Sequence, residues 1–260
     1  VFTGADDGYF YALDATTGNK IWSTSAGGFF PDYFANNEGQ LRSSPVVVGG
    51  RVYCGSLDGK VYCLDTDGRV QWSYLTGGPV MGSPLYYNAT IYIASNDGYL
   101  YAINNIGTLR WRSGFPLNAS VGAATMAFAE FYNIGTPTIG AGRIYIGGGI
   151  QYGSTGGISN AQWLAMNMSV PSGANGGGIR FFAFDATTGA SIWNISRAGN
   201  TQPGFVPVYV GGQIYAPEFF EVTAMSATTP MNGTYFPPDF TQSNRRNYNR
   251  TSGAWLGYQI

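Results

Sequence analysis

The sequence contains no histidine, only two cysteines and 10% charged residues. Without an imidazole the chain has no Ser-His-Asp triad, no histidine-ligated zinc and no haem with the usual axial histidine. The charged fraction is far below the ~25% of an average soluble domain. The net charge of −1 offers no basic surface to nucleic acid or to an anionic membrane, and no apolar run approaches the roughly 18 residues of a membrane-spanning helix. The sequence therefore predicts no nucleic-acid partner and no transmembrane segment.

What the chain has instead is glycine and tyrosine, with 39 and 19 copies among its 260 residues. Asn, Ser, Thr and Gln supply most of the polarity, which predicts a turn-rich and aromatic surface. The length is sufficient for a full hydrophobic core, and we expect a single domain over residues 1–260. Val1 already lies in a strand pattern, as expected of a secreted protein in its mature form.

The stretch Ser43–Trp72 shows a pattern that the rest of the chain repeats. Three short apolar runs are separated by glycine turns and followed by a tryptophan. Alternating β-branched and aromatic residues between such turns are typical of strands and hairpins. A proline opens the unit, and an apolar residue and a tyrosine follow seven and eight positions later. This spacing occurs four times: Pro45 with Val52 and Tyr53, Pro84 with Ile91 and Tyr92, Pro137 with Ile144 and Tyr145, and Pro207 with Ile214 and Tyr215.

Two further parts of the unit also recur. The middle hairpin appears as GADDGYFYALD at Gly4–Asp14 and as ASNDGYLYAIN at Ala94–Asn104. The last turn and its tryptophan appear as ALDATTGNKIW at Ala12–Trp22 and as AFDATTGASIW at Ala183–Trp193. A four-stranded unit repeated at about 40–50 residues is the signature of a β-propeller. We predict an all-β fold, a single β-propeller of about five four-stranded blades.

The motif A-x-D-x-x-T-G-x-x-x-W resembles the tryptophan-docking motif of the pyrroloquinoline-quinone-type propeller repeat. It is complete at Ala12–Trp22 and Ala183–Trp193, one residue short at Cys63–Trp72 and Ala102–Trp111, and degenerate at Ala224–Trp255. The family includes quinoprotein dehydrogenases and an outer-membrane assembly lipoprotein that is a scaffold, so the resemblance is specific for fold and weak for activity. It implies five tryptophans in equivalent blade-docking positions: Trp22, Trp72, Trp111, Trp193 and Trp255.

The repeat also predicts where each blade begins and ends. The first blade is incomplete, because Val1 starts directly in a second strand without a Pro-led strand before it. Gly253–Ile260 is expected to supply the fourth strand of blade five. Insertions interrupt blade four between its second and third strands and blade five between its third and fourth strands. The predicted ranges are about 1–28, 43–78, 82–117, 135–199 with the insertion 150–178, and 205–260 with the insertion 228–252.

One face of the predicted disc carries most of the irregular chain. The insertion in blade four shares this face with the connectors 23–42 and 112–135, and the second connector has a weak helix pattern. Binding residues are concentrated on loops that a rigid scaffold positions. We therefore expect recognition to occur on this face.

Candidate catalytic and metal-binding groups are few. Glu218 and Glu221 flank an aromatic pair, and solvation at an edge strand accounts for them better than acid–base work. The segment Gly173–Gly178 lacks the lysine and the helix of a phosphate loop and reads as the stem of an insertion. The remaining acidic candidates cap turns or lie at hairpin tips: Asp6, Asp7, Asp14, Asp58, Asp65, Asp97 and Asp185.

The family's enzymes hold their quinone with a calcium ion bound by Glu, Asn and Asp, and they carry adjacent cysteines joined in a ring. They also have eight blades, whereas only five docking motifs are recognisable here. No position of this sequence matches those cofactor-binding residues. We predict no catalytic site, no cofactor and no metal site.

The two cysteines lie in adjacent strands of one predicted hairpin. An even register sets Cys54 opposite Cys63, and a two-residue turn at Asp58-Gly59 makes them a closely spaced pair. A one-residue bulge at Gly59 instead sets Cys54 opposite Tyr62 and prevents the bond. We predict the disulfide.

The most abundant chemical signal is the N-x-S/T sequon, the acceptor for N-linked glycans. The predicted positions are hairpin turns, loops, insertions or an outer edge strand, where a glycan is accommodated. The alternative is an accidental match in a chain rich in Asn and Thr. The six predicted glycosylation sites are Asn88, Asn118, Asn167, Asn194, Asn232 and Asn249.

Together these features predict a secreted, N-glycosylated, non-enzymatic β-propeller that is structural or adhesive at a cell surface, in an archaeon or a eukaryote. The expected partners are further copies of the chain or other surface proteins. The unfilled place in the first blade has three explanations: the chain is cut from a longer polypeptide, one of its own segments (Met126–Tyr132 or part of 228–252) fills the place, or a neighbouring copy donates a strand. The third explanation predicts head-to-tail self-assembly by strand complementation. The alternatives are a divergent quinoprotein-type or glycan-processing enzyme and a periplasmic assembly scaffold.

Overall fold

Short antiparallel strands make up the computed structural model of this chain. It describes residues 1–5, 7–26, 43–115, 129–152, 177–198, 206–217, 222–228, 248–249 and 254–255. Every helix or strand within these ranges is a β-strand, so none of them holds a helix that could span a membrane. The predicted all-β propeller fold is confirmed.

The first three sheets follow the predicted repeat. The first has three strands and the next two have four each, and neighbouring strands in the chain pair with each other. Among the described strands, none pairs with β1 on its inner side. The strands are β1 (Phe2–Gly4), β2 (Tyr9–Leu13), β3 (Lys20–Ser25), β4 (Val46–Val48), β5 (Arg51–Gly55), β6 (Lys60–Asp65), β7 (Val70–Leu75), β8 (Leu85–Tyr87), β9 (Thr90–Ser95), β10 (Tyr99–Asn104) and β11 (Leu109–Gly114).

The fourth sheet is larger because its central hairpin is extended on both sides of the insertion. The long strand β14 pairs with β13 along its first part and with β12 along its last part. The segment β12 belongs to the connector with the weak helix pattern, and its described part is a strand instead. The strands are β12 (Ala129–Ile134), β13 (Thr138–Gly140), β14 (Arg143–Tyr152), β15 (Gly177–Asp185) and β16 (Ser191–Ala198).

The fifth sheet departs from the prediction at its fourth strand. Its three described strands are β17 (Val208–Val210), β18 (Gln213–Pro217) and β19 (Val222–Ser226). The tryptophan strand β21 (Ala254–Trp255) pairs with β20 (Tyr248–Asn249) in a separate two-stranded sheet. Of the segment Gly253–Ile260, which was expected to complete blade five, the two described residues therefore pair with Tyr248 and Asn249 inside the insertion and not with β19.

The hydrophobic core lies between neighbouring sheets. Each sheet presents alternate residues to the sheet before it and the sheet after it, because side chains of a strand alternate between faces. Val52 and Leu64 pack against Phe10 of the first sheet, whereas Tyr53 packs against Ile91 of the third. Each core cluster of the described residues joins two sheets that are consecutive in the chain.

Candidate functional site

Each sheet has two ends with different chemistry. We call one of them the tip end. There the backbone N–H of the residue after the fourth strand donates to the carbonyl of the glycine in the central hairpin, as Thr76 N–H does to Gly59 O (2.8 Å). We call the other the turn end. There the last turn, which precedes the fourth strand, hydrogen-bonds to the first turn, which precedes the second strand, as Asn105 N–H does to Ala89 O (3.1 Å). Contacts between neighbouring blades occur at both ends.

At the turn end, tryptophans of the docking motif contact the last turn of the following sheet. Each lies 5.8 to 6.0 Å, between ring centroids, from an aromatic residue of its own second strand. The indole N–H reaches a backbone carbonyl of the following sheet in three cases: Trp22 to Thr66 (2.8 Å), Trp72 to Asn105 (3.1 Å) and Trp193 to Ala227 (3.2 Å).

A glycine in the receiving turn lets the indole approach the backbone. A Cβ added to Gly68 would lie 2.7 Å from Trp22, and the same holds for Gly107 and Trp72 at 2.8 Å. The third pair is Gly189 and Trp111 at 2.6 Å. These glycines have φ between +74° and +88°, a conformation that disfavours any side chain. Four of the five predicted docking tryptophans thus contact the next sheet, and the side chain of Trp255 lies outside the described residues.

The last turn is shaped by its aspartate in both complete copies of the motif. Asp14 accepts hydrogen bonds from the backbone N–H groups of Thr16 (2.9 Å) and Thr17 (2.7 Å). Asp185 accepts the equivalent bonds from Thr187 (3.0 Å) and Thr188 (2.8 Å). These bonds favour the charged carboxylate and lower the pKa of both aspartates. They are turn caps, as predicted from the sequence.

At the tip end, a tyrosine four residues after the hairpin aspartate donates its hydroxyl to that aspartate. The pairs are formed in the first three sheets, each with an O–O distance of 2.5 Å. The sequence signal is the spacing Asp-Gly-x-x-Tyr, which was visible but not used in the prediction. The pairs are Tyr11 with Asp7, Tyr62 with Asp58 and Tyr101 with Asp97.

In the second and third sheets the pair also holds the connector of the preceding blade. The single hydroxyl proton of Tyr62 is shared between Asp58 and the backbone oxygen of Ala26, which follows the first sheet. Asp97 accepts from the N–H of Gly77 at 2.7 Å, and Gly77 follows the second sheet. The tip-end pair therefore acts as an inter-blade clamp.

Burial keeps the clamping phenols protonated. Desolvation, assisted by the hydrogen bond to Asp58, raises the pKa of Tyr62 far above its ordinary value near 10. The same two causes raise the pKa of Tyr101 in the third sheet. The Tyr11 pKa is also raised, mainly by its hydrogen bond to Asp7. These groups are hydrogen-bond donors over the physiological pH range.

The predicted disulfide is absent, because Cys54 and Cys63 are free, buried thiols. The hairpin has a three-residue loop, Leu57–Gly59, closed by the bond from Ser56 N to Lys60 O, with Gly59 at φ +81°. This odd loop length sets Cys54 opposite Tyr62 and Cys63 opposite Tyr53. The two sulfurs consequently point to opposite faces of the sheet and pack in different core clusters.

The predicted sequons fall partly within the described chain. Asn88 is exposed in the turn between β8 and β9, with φ +47°. Asn194 is half-buried in β16, the edge strand of the fourth sheet. Asn249 lies in β20, and its side chain is outside the described residues, as are three whole residues: Asn118, Asn167 and Asn232.

The candidate acid–base groups are not brought into a common site by the described structure. Glu218 and Glu221 lie outside the described residues, and so does most of Gly173–Gly178. Within the described ranges, no three residues of the types His, Cys, Asp and Glu form a group that could hold a metal ion. The acidic residues at the tip end of the second and third sheets are occupied by the inter-blade clamps.

Comparison with known proteins agrees with the repeat geometry. The sequence model of the family described as "Outer membrane protein assembly factor BamB" matches residues 6–134. This segment includes three docking tryptophans and all three tip-end pairs. The match covers just under half of the chain and supports the repeat family predicted from the docking motif, the pyrroloquinoline-quinone-type β-propeller repeats. A comparison with curated proteins found no match.

Two quinohemoprotein alcohol dehydrogenases and a BamB are among the solved structures that resemble this chain. Quinohemoprotein alcohol dehydrogenase ADHIIG from Pseudomonas putida HK5 aligns with a TM-score of 0.56 at 16% identity, over 98% of this chain and 42% of that one. The enzyme from Comamonas testosteroni aligns with a TM-score of 0.54 at 16% identity, over 99% and 44%. BamB from Moraxella catarrhalis aligns with a TM-score of 0.49 at 20% identity, over 90% and 73%. The chain spans less than half the length of either dehydrogenase, and the likeness concerns the fold.

Proposed function

We propose that this propeller is a non-enzymatic scaffold that works outside the cytoplasm, at a cell surface or in a cell envelope, by binding other proteins. The observation that carries the proposal is that the acidic groups at the tip end are engaged in hydrogen bonds with the protein itself. Asp58 accepts the hydroxyl of Tyr62 and lies 3.5 Å from the Lys60 ammonium. Asp97 accepts the Tyr101 hydroxyl and a connector N–H. Groups that could perform acid–base chemistry therefore stabilise the blade array.

The family match supports the same proposal from a second direction. The matching family is described as "Outer membrane protein assembly factor BamB", and a scaffold that binds other proteins suits a role in assembly. The low charge and the aromatic surface fit protein contacts, since tyrosine is enriched in protein–protein interfaces. Binding without chemistry needs only a rigid scaffold with variable loops, and the propeller supplies one.

We further propose that the protein is secreted, N-glycosylated and structural or adhesive. The exposed turn position of Asn88 and the edge-strand position of Asn194 support glycan attachment. Strand β1 has a partner on one side only within the described chain, and an open edge favours strand addition. Head-to-tail self-assembly of copies is therefore part of the proposal.

The deciding experiment is intact mass of the protein from its native source, before and after enzymatic removal of N-glycans. A glycosylated surface protein loses the mass of several glycans, and Asn88→Gln removes one of them. Asn105→Gln, at an exposed turn without a sequon, serves as the matched control and leaves the mass difference unchanged. An unmodified native protein would overturn glycosylation and favour the periplasmic scaffold.

The non-enzymatic part is tested separately. We expect no dye reduction with alcohols or sugars after incubation with pyrroloquinoline quinone and calcium, and no release of sugar from glycosides. Quinone-dependent turnover well above a protein-free blank would overturn the proposal in favour of a divergent dehydrogenase.

A further inference from the structure

The turn between β8 and β9 differs from its counterparts in having no glycine. In the described sheets, four two-residue turns join a Pro-led strand to the next strand, and all have positive φ at both positions, as a type I′ turn requires. Only the turn between β8 and β9 places two side chains at positive φ, at +47° and +55°. The four turns are Gly49-Gly50, Asn88-Ala89, Ala141-Gly142 and Gly211-Gly212.

Ala89 is the unfavourable residue of this turn. Asparagine tolerates a left-handed backbone because its short polar side chain hydrogen-bonds locally, whereas the Cβ of alanine comes too close to the backbone carbonyl. Type I′ turns accordingly favour Asn-Gly, and Ala89 occupies the place of that glycine. The hairpin of β8 and β9 is therefore less stabilised by its turn than the other three hairpins are, and it closes more slowly.

The same turn holds the sequon Asn88-Ala89-Thr90, and folding hides its hydroxyl group. Thr90 is 2% exposed, and its hydroxyl donates to the backbone oxygen of Asn88 at 3.2 Å. The backbone of Thr90 pairs with Tyr87 on one side and with Asn104 on the other. Because the sequon is defined by its hydroxyl residue as well as by its asparagine, the folded hairpin is a poor acceptor even though Asn88 is exposed.

We propose that Asn88 accepts its glycan only before the third sheet folds, and that Ala89 keeps the sequon available by slowing closure of the hairpin. This inference rests on the proposed N-glycosylation and states how one site is regulated. In the transfer, Nδ2 of Asn88 bonds to the anomeric carbon of the sugar. The bond from that carbon to the phosphate oxygen of a lipid-linked glycosyl diphosphate breaks, the nitrogen loses one proton to solvent, and the lipid diphosphate leaves.

The folded sheet accommodates the glycan once it is attached. Asn88 lies between two strands rather than within one, its side chain is exposed, and its φ of +47° is one that asparagine adopts. The turn also lies at the turn end of the sheet, whereas the connectors between sheets leave from the tip end. A glycan at Asn88 therefore leaves the connectors free to contact a partner.

The first test changes the turn and keeps the sequon. Ala89→Gly gives Asn-Gly-Thr, which is still an acceptor, and it removes the side chain at φ +55°. Ala141→Gly is the matched control, because it makes the same change at φ +49° in the equivalent turn of the fourth sheet, which has no sequon. Mass spectrometry of the peptide that contains Asn88 measures the occupied fraction in protein from the native source.

The second test separates folding from the chemistry of the sequon. The full chain, produced without N-glycosylation in a bacterial cytoplasm and then folded, is incubated with a purified oligosaccharyl transferase and its lipid-linked donor. Synthetic peptides of residues 85–92, with the wild-type sequence or with Ala89→Gly, serve as unfolded acceptors. We expect both peptides to be glycosylated at the same rate and the folded chain to remain unmodified at Asn88.

In the native source, we expect Ala89→Gly to lower the occupied fraction of Asn88 by about two-fold or more, and Ala141→Gly to leave it unchanged. Transfer to the folded chain as fast as to the peptide, or an unchanged occupancy in Ala89→Gly, would overturn the inference and leave glycosylation in place. A slower reaction of the Ala89→Gly peptide would assign the loss to the sequon itself and would also overturn it. A native protein without any N-glycan would instead overturn the proposed glycosylation, and this inference with it.

Discussion

At the scale of single residues, the backbone of Gly189 matters because of what lies against it. Gly142 belongs to the same sheet and has nearly the same φ, +73° against +74°, yet it faces open space. Alanine at either position carries the same backbone strain, so the difference between the two isolates the contact with Trp111. We expect Gly189→Ala to reduce the free energy of unfolding by about 1–3 kcal/mol more than Gly142→Ala. Urea denaturation measures both, and equal losses would contradict the docking contact.

The buried tyrosines predict how stability depends on alkaline pH. Burial raises the pKa of Tyr53 to about 12 and that of Tyr62 further. In the unfolded chain these phenols ionise near pH 10, so above that pH the unfolded state releases protons that the folded state retains. Their contribution to stability is complete below pH 10 and is lost as the pH rises through the folded-state pKa values.

We therefore expect the free energy of unfolding to fall steadily above about pH 10, with a shallower fall in Tyr62→Phe because one raised pKa is removed. Urea denaturation at a series of pH values between 8 and about 11 measures the slope. Tyr87→Phe, at a 50% exposed position, is the control and keeps the wild-type slope. A Tyr62→Phe slope as steep as that of the wild type would contradict this account.

At the scale of elements, the repeat spacing was enough to predict every hairpin of the first three sheets. It did not predict whether a hairpin loop has an even or an odd number of residues. Asp58-Gly59 reads as a two-residue turn, whereas the structure adds Leu57 to the loop. A difference of one residue moves every side chain of the partner strand to the other face, which is why Cys54 and Cys63 do not meet. A short sequence does not distinguish the two loops, because both favour Asp-Gly.

The register predicts how the thiols react. Burial raises the pKa of both cysteines, that of Cys63 to about 11, and a buried, protonated thiol reacts slowly. We expect the native protein to resist a thiol-specific reagent, and the protein denatured without reductant to titrate two thiols per chain. A mass increase of two hydrogens on reduction would show a disulfide and would contradict the three-residue loop.

At the scale of the whole molecule, the docking tryptophans were the most informative part of the sequence. Their motif predicts both the fold and the order in which sheets contact each other. The inter-blade clamp was missed, because the recurring Asp-Gly-x-x-Tyr spacing was interpreted as hairpin-tip aspartates alone. For the fourth strand of blade five, by contrast, the prediction relied too heavily on one residue of the motif. A degenerate motif interrupted by an insertion still ends in Trp255, and the tryptophan alone does not specify which strand it pairs with.

Contacts restricted to consecutive sheets make the described array behave like a one-dimensional series of units. The stability of each sheet then depends on its own contacts and on those with its neighbours. Trp22 joins the first and second sheets, whereas Trp111 joins the third and fourth. Replacing a packed tryptophan with alanine costs about 3–5 kcal/mol, so each substitution weakens one interface and leaves the others intact.

We expect Trp22→Ala to accelerate amide hydrogen exchange most in β1, β2 and β3, because that sheet has a single contacting neighbour among the described residues, and less in the second sheet, which keeps its contacts with the third. Trp111→Ala instead removes the contact in the middle of the series, and exchange accelerates on both sides of it, in the third and fourth sheets. Mass spectrometry of peptides from each sheet resolves the two patterns. A uniform acceleration over all five sheets in Trp22→Ala would show that the array unfolds as one cooperative unit, since a local loss would then be shared by sheets that do not contact the substituted residue.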